Sequence, residues 1–257
     1  MLLTLEHVCK TFGDPKDPSH ALKDISFKVR RGEFVCVVGP SGSGKSTLLR
    51  LIAGLLPPSS GLIALDGAPI TRPNPGVGIV FQNSNLMPWR SVLDNVALPL
   101  ELRGELREKR YEIARAHIEL VALEGFERHY PHQLSGGMQQ RAAIARTLVQ
   151  NPELLLLDEP FGALDALTRE YLNQELLRIW QMRKRTVLMV THAIGEAVWL
   201  ADRVLVLSQR PGVLKVDIPI LLPRPRTEAL LTHPDYLALV QVVRSYIDRP
   251  ILTPLNS

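Results

Sequence analysis

Cysteine is almost missing from this chain: Cys9 and Cys36 are the two thiols among 257 residues. They stand too far apart for a CxxC motif and imply no disulfide framework, which agrees with a reducing compartment. Cys36 sits inside the apolar run FVCVVG, where a buried and inert thiol is expected. Long hydrophobic runs are missing too. The longest unbroken aliphatic stretch, Leu154 to Leu157, is a strand's worth, far below the roughly 18 residues a spanning helix needs. The opening MLLTLEHVCK meets Glu6 and His7 before a signal-peptide core could form. The expectation is therefore a cytosolic chain, or one that reaches a membrane only through partners. There is also no internal repeat, low-complexity tract or long heptad stretch.

With 46% hydrophobic and 22% charged residues, the chain has an ordinary globular composition and can bury a sizeable core. The formal net charge of +4 and the pI near 9.2 suit an anionic ligand such as a nucleotide, an anionic membrane surface, or simply a solvated mixed surface. Short apolar runs alternate with helical patterns, which predicts an α/β fold with a mainly parallel sheet. Predicted strands are Phe34–Val38, Val77–Phe81, Leu154–Leu157, Val187–Val190 and Val204–Leu207. A smaller antiparallel portion is expected around Leu2–His7, Ile25–Val29 and Leu62–Leu65. From about residue 88 to 151 the pattern turns helical, with Tyr111, Ala114, Ile118 and Val121 on one stripe of a helix over Arg107–Leu123. This block interrupts the strands and reads as an inserted helical subdomain. The expected layout is a single domain: a core from 1–87 and 152–210, the helical insert 88–151, and a C-terminal extension 211–257. That extension begins with a proline-rich connector and ends in a helix with Tyr236, Val240, Val243 and Ile247 on one face.

Three segments carry chemistry. FVCVVGPSGSGKSTLL holds the pattern GxxxxGK[ST] as Gly39, Gly44, Lys45 and Ser46, after a strand and before a helix predicted over Ser46–Leu56. Glycines there let successive backbone N–H groups wrap a phosphate, and the helix N-terminus adds partial positive charge. Lys45 is expected to reach the β- and γ-phosphates, and Ser46 to coordinate Mg²⁺. ELLLLDEP places Asp158 and Glu159 at the end of a buried strand. Such a pair can bind Mg²⁺ and polarise an attacking water, a general-base role worth about 10²–10⁴-fold; two solvated carboxylates at a strand end are the plain alternative. LSGGMQQR opens a helix towards Val149, with Ser135 as its cap and Gly136 and Gly137 leaving its amides exposed. A second phosphate-ready surface nearly 90 residues from the first suggests a nucleotide held from two sides.

Over essentially its whole length the chain resembles the nucleotide-binding subunits of ABC transporters. GPSGSGKST is similar to their Walker A segment, LSGGMQQR to their signature and LLLLDEP to their Walker B. Gln82 matches their Q-loop, residues 163–165 (ALD) their D-loop, and His192 their switch histidine. KTFG at 10–13 is similar to their A-loop. The resemblance implies a P-loop NTPase (RecA-like) fold whose substrate ATP and Mg²⁺ lie between two copies paired head to tail. ATP would contact Phe12 through its adenine, and Gly39, Pro40, Ser41, Gly42, Ser43, Gly44, Lys45, Ser46 and Thr47. From the other chain it would meet Ser135, Gly136, Gly137, Gln139 and Asp165. Glu159 would be the general base, His192 would contact the γ-phosphate, and Gln82 would touch metal or water. Ser46, Gln82 and Asp158 would serve the metal. Implied partners are a second cassette, membrane permease subunits and, indirectly, a solute-binding protein, with no nucleic acid; the implied location is peripheral, on the cytoplasmic face of the inner membrane.

NLMPWRSVLDNVALPLELRG, LTRE, EAVWLADRV and LPRPR look like the branch serving nitrate, sulfonate and taurine importers. Ala193 departs from it, since many relatives carry Asp after the switch histidine. That branch places a permease coupling helix near residues 82–95, with Met87 and Trp89 as an apolar floor; Trp89 packed beneath the helical subdomain is the competing reading. Alternatives for the chain are an exporter cassette or a non-transport ABC ATPase. The NKxD of a GTPase is absent.

Overall fold

The computed structural model describes residues 1–14, 17–162, 164–183 and 185–248. Along the chain lie β1 (Leu3–Phe12), β2 (Ser19–Val29), β3 (Phe34–Val38), α1 (Lys45–Ile52), β4 (Ser60–Leu65), β5 (Ala68–Pro69), β6 (Val77–Val80), α2 (Val92–Leu102), α3 (Arg107–Leu120), α4 (Gly136–Leu148), β7 (Leu154–Asp158), α5 (Ala166–Arg183), β8 (Thr186–Val190), α6 (Ile194–Leu200), β9 (Arg203–Leu207), β10 (Leu214–Pro219) and α7 (Pro234–Asp248). They fall into two compact units, one built from Met1–Pro73 and the described residues from Thr186 on, the other from Asn74–Arg185.

In the first unit β3 is fully buried along its length, as an unbroken apolar run demands of a strand covered on both faces. It lies between β8 and β9, parallel to both, with Val37 opposite Val190 and Val38 opposite Val206. Cys36 is completely buried there, and desolvation pushes its thiol well above the ordinary range, so it is the inert core thiol expected. β10 pairs antiparallel with β9, and α7 packs against α6 and β9 through Tyr236 and Val243. The C-terminal segment is thus part of this unit; residues 249–257 of the expected extension lie outside the described ones. A second, antiparallel sheet runs in the order β2-β1-β4-β5. β1 and β2 are longer than Leu2–His7 and Ile25–Val29 because register breaks between Leu5 and Val8 and between Val8 and Lys10 disrupt the two-residue period. α1 stops at Ile52 instead of Leu56. Gly54 there turns at φ 71, with space for no side chain: a Cβ would stand 2.3 Å from the Arg72 carbonyl.

In the second unit β6 and β7 pair in parallel, with Val80 opposite Leu157. α4 lies against β6 so closely that a Cβ on Gly78 would come 2.6 Å from the Thr147 methyl. The helices α2, α3 and α4 pack on one another through the expected stripe, of which Ala114, Ile118 and Val121 are buried. α3 ends before Val121 because Ala122 takes a left-handed φ of 53. Ser91 caps α2 by accepting the Asp94 N–H, and the Tyr111 hydroxyl donates to Asp94 at 2.6 Å, fixing α3 to the start of α2.

Candidate functional site

The phosphate-binding loop leaves β3 at Gly39. A Cβ at this glycine would lie 2.8 Å from the Leu207 carbonyl, so the loop can run tight against β9 only without a side chain. Gly42 and Gly44 take φ of 76 and 88, conformations that disfavour any side chain, and Gly44 is the N-cap of α1. Ser43 and Lys45 are buried, while Pro40, Gly44, Ser46 and Thr47 are half-buried and Ser41 and Gly42 exposed. The Lys45 ammonium donates to the carbonyls of Gly39 and Pro40, each at 2.9 Å, and approaches the Ser43 hydroxyl at 3.5 Å. A buried cation is thereby folded back over its own loop.

Strand register places a second group at the same edge. Val190 of β8 is opposite Val37, and the Thr191 N–H donates to the Val37 carbonyl at 3.2 Å. His192 and Gly39 therefore leave neighbouring parallel strands at their carboxyl ends, where open α/β sheets bind ligands. His192 is exposed. Ala193, the position of the departure noted above, gives α6 no side-chain cap. Thr191 fills part of that role: its hydroxyl accepts the Ala193 N–H at 3.0 Å and donates to Glu196. Phe12 ends β1, 39% exposed, with the Lys10 ammonium 5.0 Å from its ring centre, itself tied to the Pro57 carbonyl.

The second unit repeats this geometry. Because Val80 is opposite Leu157, Gln82 and Glu159 stand two residues beyond a paired position on adjacent parallel strands. Their side chains converge on Gly162, where a Cβ would lie 3.4 Å from Glu159 Oε2 and 3.6 Å from Gln82 Nε2. Glu159 has a left-handed φ of 45, an unusual backbone for a non-glycine and one that concentrates at working sites. Asp158 is the last residue of β7 and is buried.

Ser135 caps α4 as expected, accepting the Met138 N–H at 3.3 Å. The two glycines after it have a reason the sequence did not suggest. A Cβ on Gly137 would be 3.0 Å from the Thr168 methyl, and one on Gly136 3.4 Å from Leu164 Cδ2, so α5 and the turn before it approach the start of α4 directly. Gln139 engages its amide inside the unit: it donates to the carbonyls of Pro131 (3.0 Å) and Leu134 (3.3 Å) and accepts the Ser84 hydroxyl (3.2 Å). Asp165 is exposed and caps α5 through the Thr168 N–H at 3.0 Å, a bond that lowers its carboxyl pKa. Ala163, the first residue of the matched D-loop, lies outside the described residues.

Three residues with no individual role in the sequence patterns hold these loops. Arg146 of α4 donates to the carbonyls of Ser84 and Asn85, both at 2.8 Å, and Gln140 donates to the Phe81 carbonyl at 3.0 Å. The segment around Gln82 is thus fastened to the helix that begins at Ser135. Arg169 of α5 donates to the carbonyls of Phe161 (3.2 Å) and Leu164 (2.9 Å), fixing the turn after Glu159. Trp89 is 72% exposed, so it does not pack beneath the helices. The oxygen donors of Ser46, Gln82 and Asp158 have the hard character a small divalent cation requires. Among the described residues no cluster of three His, Cys, Asp or Glu forms a metal site of another kind. No described helix is long and apolar enough to cross a membrane.

Residues 22–162 match the family model described as ABC transporter. An uncharacterized ABC transporter ATP-binding protein of Methanocaldococcus jannaschii is 52% identical over 234 residues, 91% of this chain and 88% of that one. A nitrate import ATP-binding protein of Synechococcus elongatus is 48% identical over 242 residues, 92% and 88% of the two chains. Among solved structures, a dimeric ATP-binding cassette in a post-hydrolysis state bound to ADP and Pi superposes with a TM-score of 0.76 at 36% identity, covering 85% of this chain and 99% of that one.

Proposed function

The chain belongs to the ABC transporter family as an ATP-hydrolysing cassette of P-loop NTPase fold, and on that premise we propose that it powers import of a small solute. The single observation that carries the import reading is the 48% identity, over 92% of the chain, to a nitrate import ATP-binding protein. Nitrate, sulfonate or taurine are the solute classes proposed. The cassette works as a head-to-tail dimer on the cytoplasmic face of the membrane, docked to permease subunits and served by a solute-binding protein. The dimeric cassette among its structural neighbours supports the pairing. The exposed Trp89 beside Met87 supports a docking floor for the permease.

In this reading Gly39–Thr47 bind the triphosphate, and Lys45 swings from the carbonyls of Gly39 and Pro40 to the β- and γ-phosphates. Phe12 offers the ring face not covered by Lys10 to adenine. Ser46, Gln82 and Asp158 would hold Mg²⁺, which would supply positive charge against that of the phosphates. Glu159 takes a proton from the attacking water, and His192 orients it against the γ-phosphate. The partner copy closes over the nucleotide through Ser135, Gly136, Gly137, Gln139 and Asp165. Tagged chain captured from its native membrane, identified by mass spectrometry and assayed for ATPase activity, tests the reading. A permease and a solute-binding protein in the capture support import. Capture of the chain alone, or with nucleic-acid machinery, removes transport while leaving hydrolysis.

A further inference from the structure

The C-terminal segment contains none of the nucleotide-binding motifs, yet it holds both ends of the helix that follows His192. α6 starts two residues after His192 and has seven residues, too few to be stable alone. At its C-terminal end, Arg226 donates through one nitrogen to the carbonyls of Val198 (3.1 Å), Trp199 (2.6 Å) and Ala201 (2.8 Å). Arg224 donates to the Leu200 carbonyl at 2.7 Å and pairs with Asp202 at 2.8 Å. Two guanidinium groups thus satisfy the orphan carbonyls that a C-cap glycine handles elsewhere, at the end of the helix where the macrodipole favours cations. At the N-terminal end, the Tyr236 hydroxyl donates to the Gly195 carbonyl at 3.2 Å, and a Cβ on Gly195 would lie 2.9 Å from that hydroxyl oxygen.

We propose that the segment from Arg224 to Tyr236 is a positioning device for His192, acting through the Tyr236–Gly195 contact. Tyr236 cannot yield easily. It is buried, its helix is pinned by the fully buried Val243, and Lys215 donates to the Tyr246 carbonyl at 3.0 Å. α6 cannot slide towards its other end because Arg226 holds the carbonyls of Val198 and Trp199 and that of the C-cap residue Ala201. Displacement at Gly195 therefore falls on the first turn and on Ala193, whose N–H is held by Thr191, and so on the intervening His192. The proposal rests on the role given to His192 above. It makes Tyr236 a positioning residue, one that touches neither nucleotide nor water.

The test uses the full chain and steady-state MgATP hydrolysis, with a thermal melt to measure the folded fraction. Gly195→Ala should lower kcat about tenfold with KM held within about twofold, the pattern of a misplaced group and not of lost binding. Adding Tyr236→Phe, which removes the hydroxyl the new methyl meets, should return kcat to within about threefold of the wild type. In a His192→Ala background Gly195→Ala should change the residual rate by less than about twofold, since the residue it displaces is already gone. A fold-loss from Gly195→Ala that is equal with and without His192, an unaltered kcat, or no rescue by Tyr236→Phe overturns the proposal. The two readings separate cleanly. A His192→Ala chain at the wild-type rate sinks the role of His192 itself, whereas a slow His192→Ala chain with a normal Gly195→Ala chain sinks only the positioning device.

Discussion

Gly212 lies outside every nucleotide motif, and its replacement by alanine should nevertheless damage nucleotide binding. Its N–H donates to the Ala21 carbonyl at 2.9 Å and its carbonyl accepts the Lys23 N–H at 2.9 Å, so it is stitched into a bridge with β2. A Cβ there would stand 2.1 Å from the Ser43 carbonyl oxygen and 3.0 Å from Leu22 Cδ2. The first distance is more than about 1 Å short of ordinary van der Waals contact. Because the bridge and the buried Leu22 resist movement, the Ser43 carbonyl must turn, and with it the loop N–H groups proposed to bind phosphate. Overpacking of this kind costs about 1–3 kcal/mol. If about 2 kcal/mol of it emerges in binding, Kd rises about 30-fold. Titration with a non-hydrolysable MgATP analogue, alongside thermal melts, reads the outcome. Gly67→Ala is the control: its φ is 80 and nothing lies within 4 Å of its Cβ, so it should cost only about 1–2 kcal/mol of backbone strain and leave Kd unchanged. A Gly212→Ala chain with Kd within twofold of the wild type and an unaltered melt would refute the reasoning.

Glu159→Gln should bind MgATP normally, accumulate as a dimer on size exclusion, and lose turnover by about 10²–10⁴-fold in a phosphate-release assay. Arg146→Met removes two charge-assisted bonds to the Ser84 and Asn85 carbonyls; it should cost about 1.5–3 kcal/mol in chemical denaturation, and kcat should fall more than nucleotide affinity because Gln82 loses its anchor. Arg226→Met, which leaves three helix-end carbonyls buried without their donor, should lower stability by about 2–4 kcal/mol in the same measurement.

The parts of this molecule that the sequence made legible are those where one local pattern determines the answer. FVCVV and the four leucines of LLLLD are apolar because both faces of their strands are covered, and both segments are buried at every position. The glycine spacing of the phosphate loop reappears as positive φ at Gly42 and Gly44, and Ser135 caps its helix as its position suggested. What escaped is what depends on distant chain. The bulges at Leu5–Lys10 lengthen β1 beyond its readable period. Gly137 answers to Thr168 and Gly212 to Ser43, contacts that no local pattern announces. The sequence assigns no contact to Arg146, Arg169, Arg224 or Arg226, the last three standing only in segments that mark the branch. In the fold each folds back onto main-chain carbonyls of a loop or helix end. Gln139 shows the reverse limit: a residue inside a motif whose amide is engaged in holding neighbouring loops.

The central claim is that MgATP is hydrolysed between the phosphate loop of one copy and the LSGG segment of another. Mixing two inactive chains tests it most directly. Lys45→Ala disables the loop and Ser135→Glu sets a negative charge against the triphosphate, so neither chain should hydrolyse ATP alone. Mixed in equal amounts, half of the randomly paired dimers contain one of each, and each of those has one site with both halves intact. The account predicts recovery of about one quarter of the wild-type rate if the two sites act independently. A mixture no faster than its separate components would contradict the shared site.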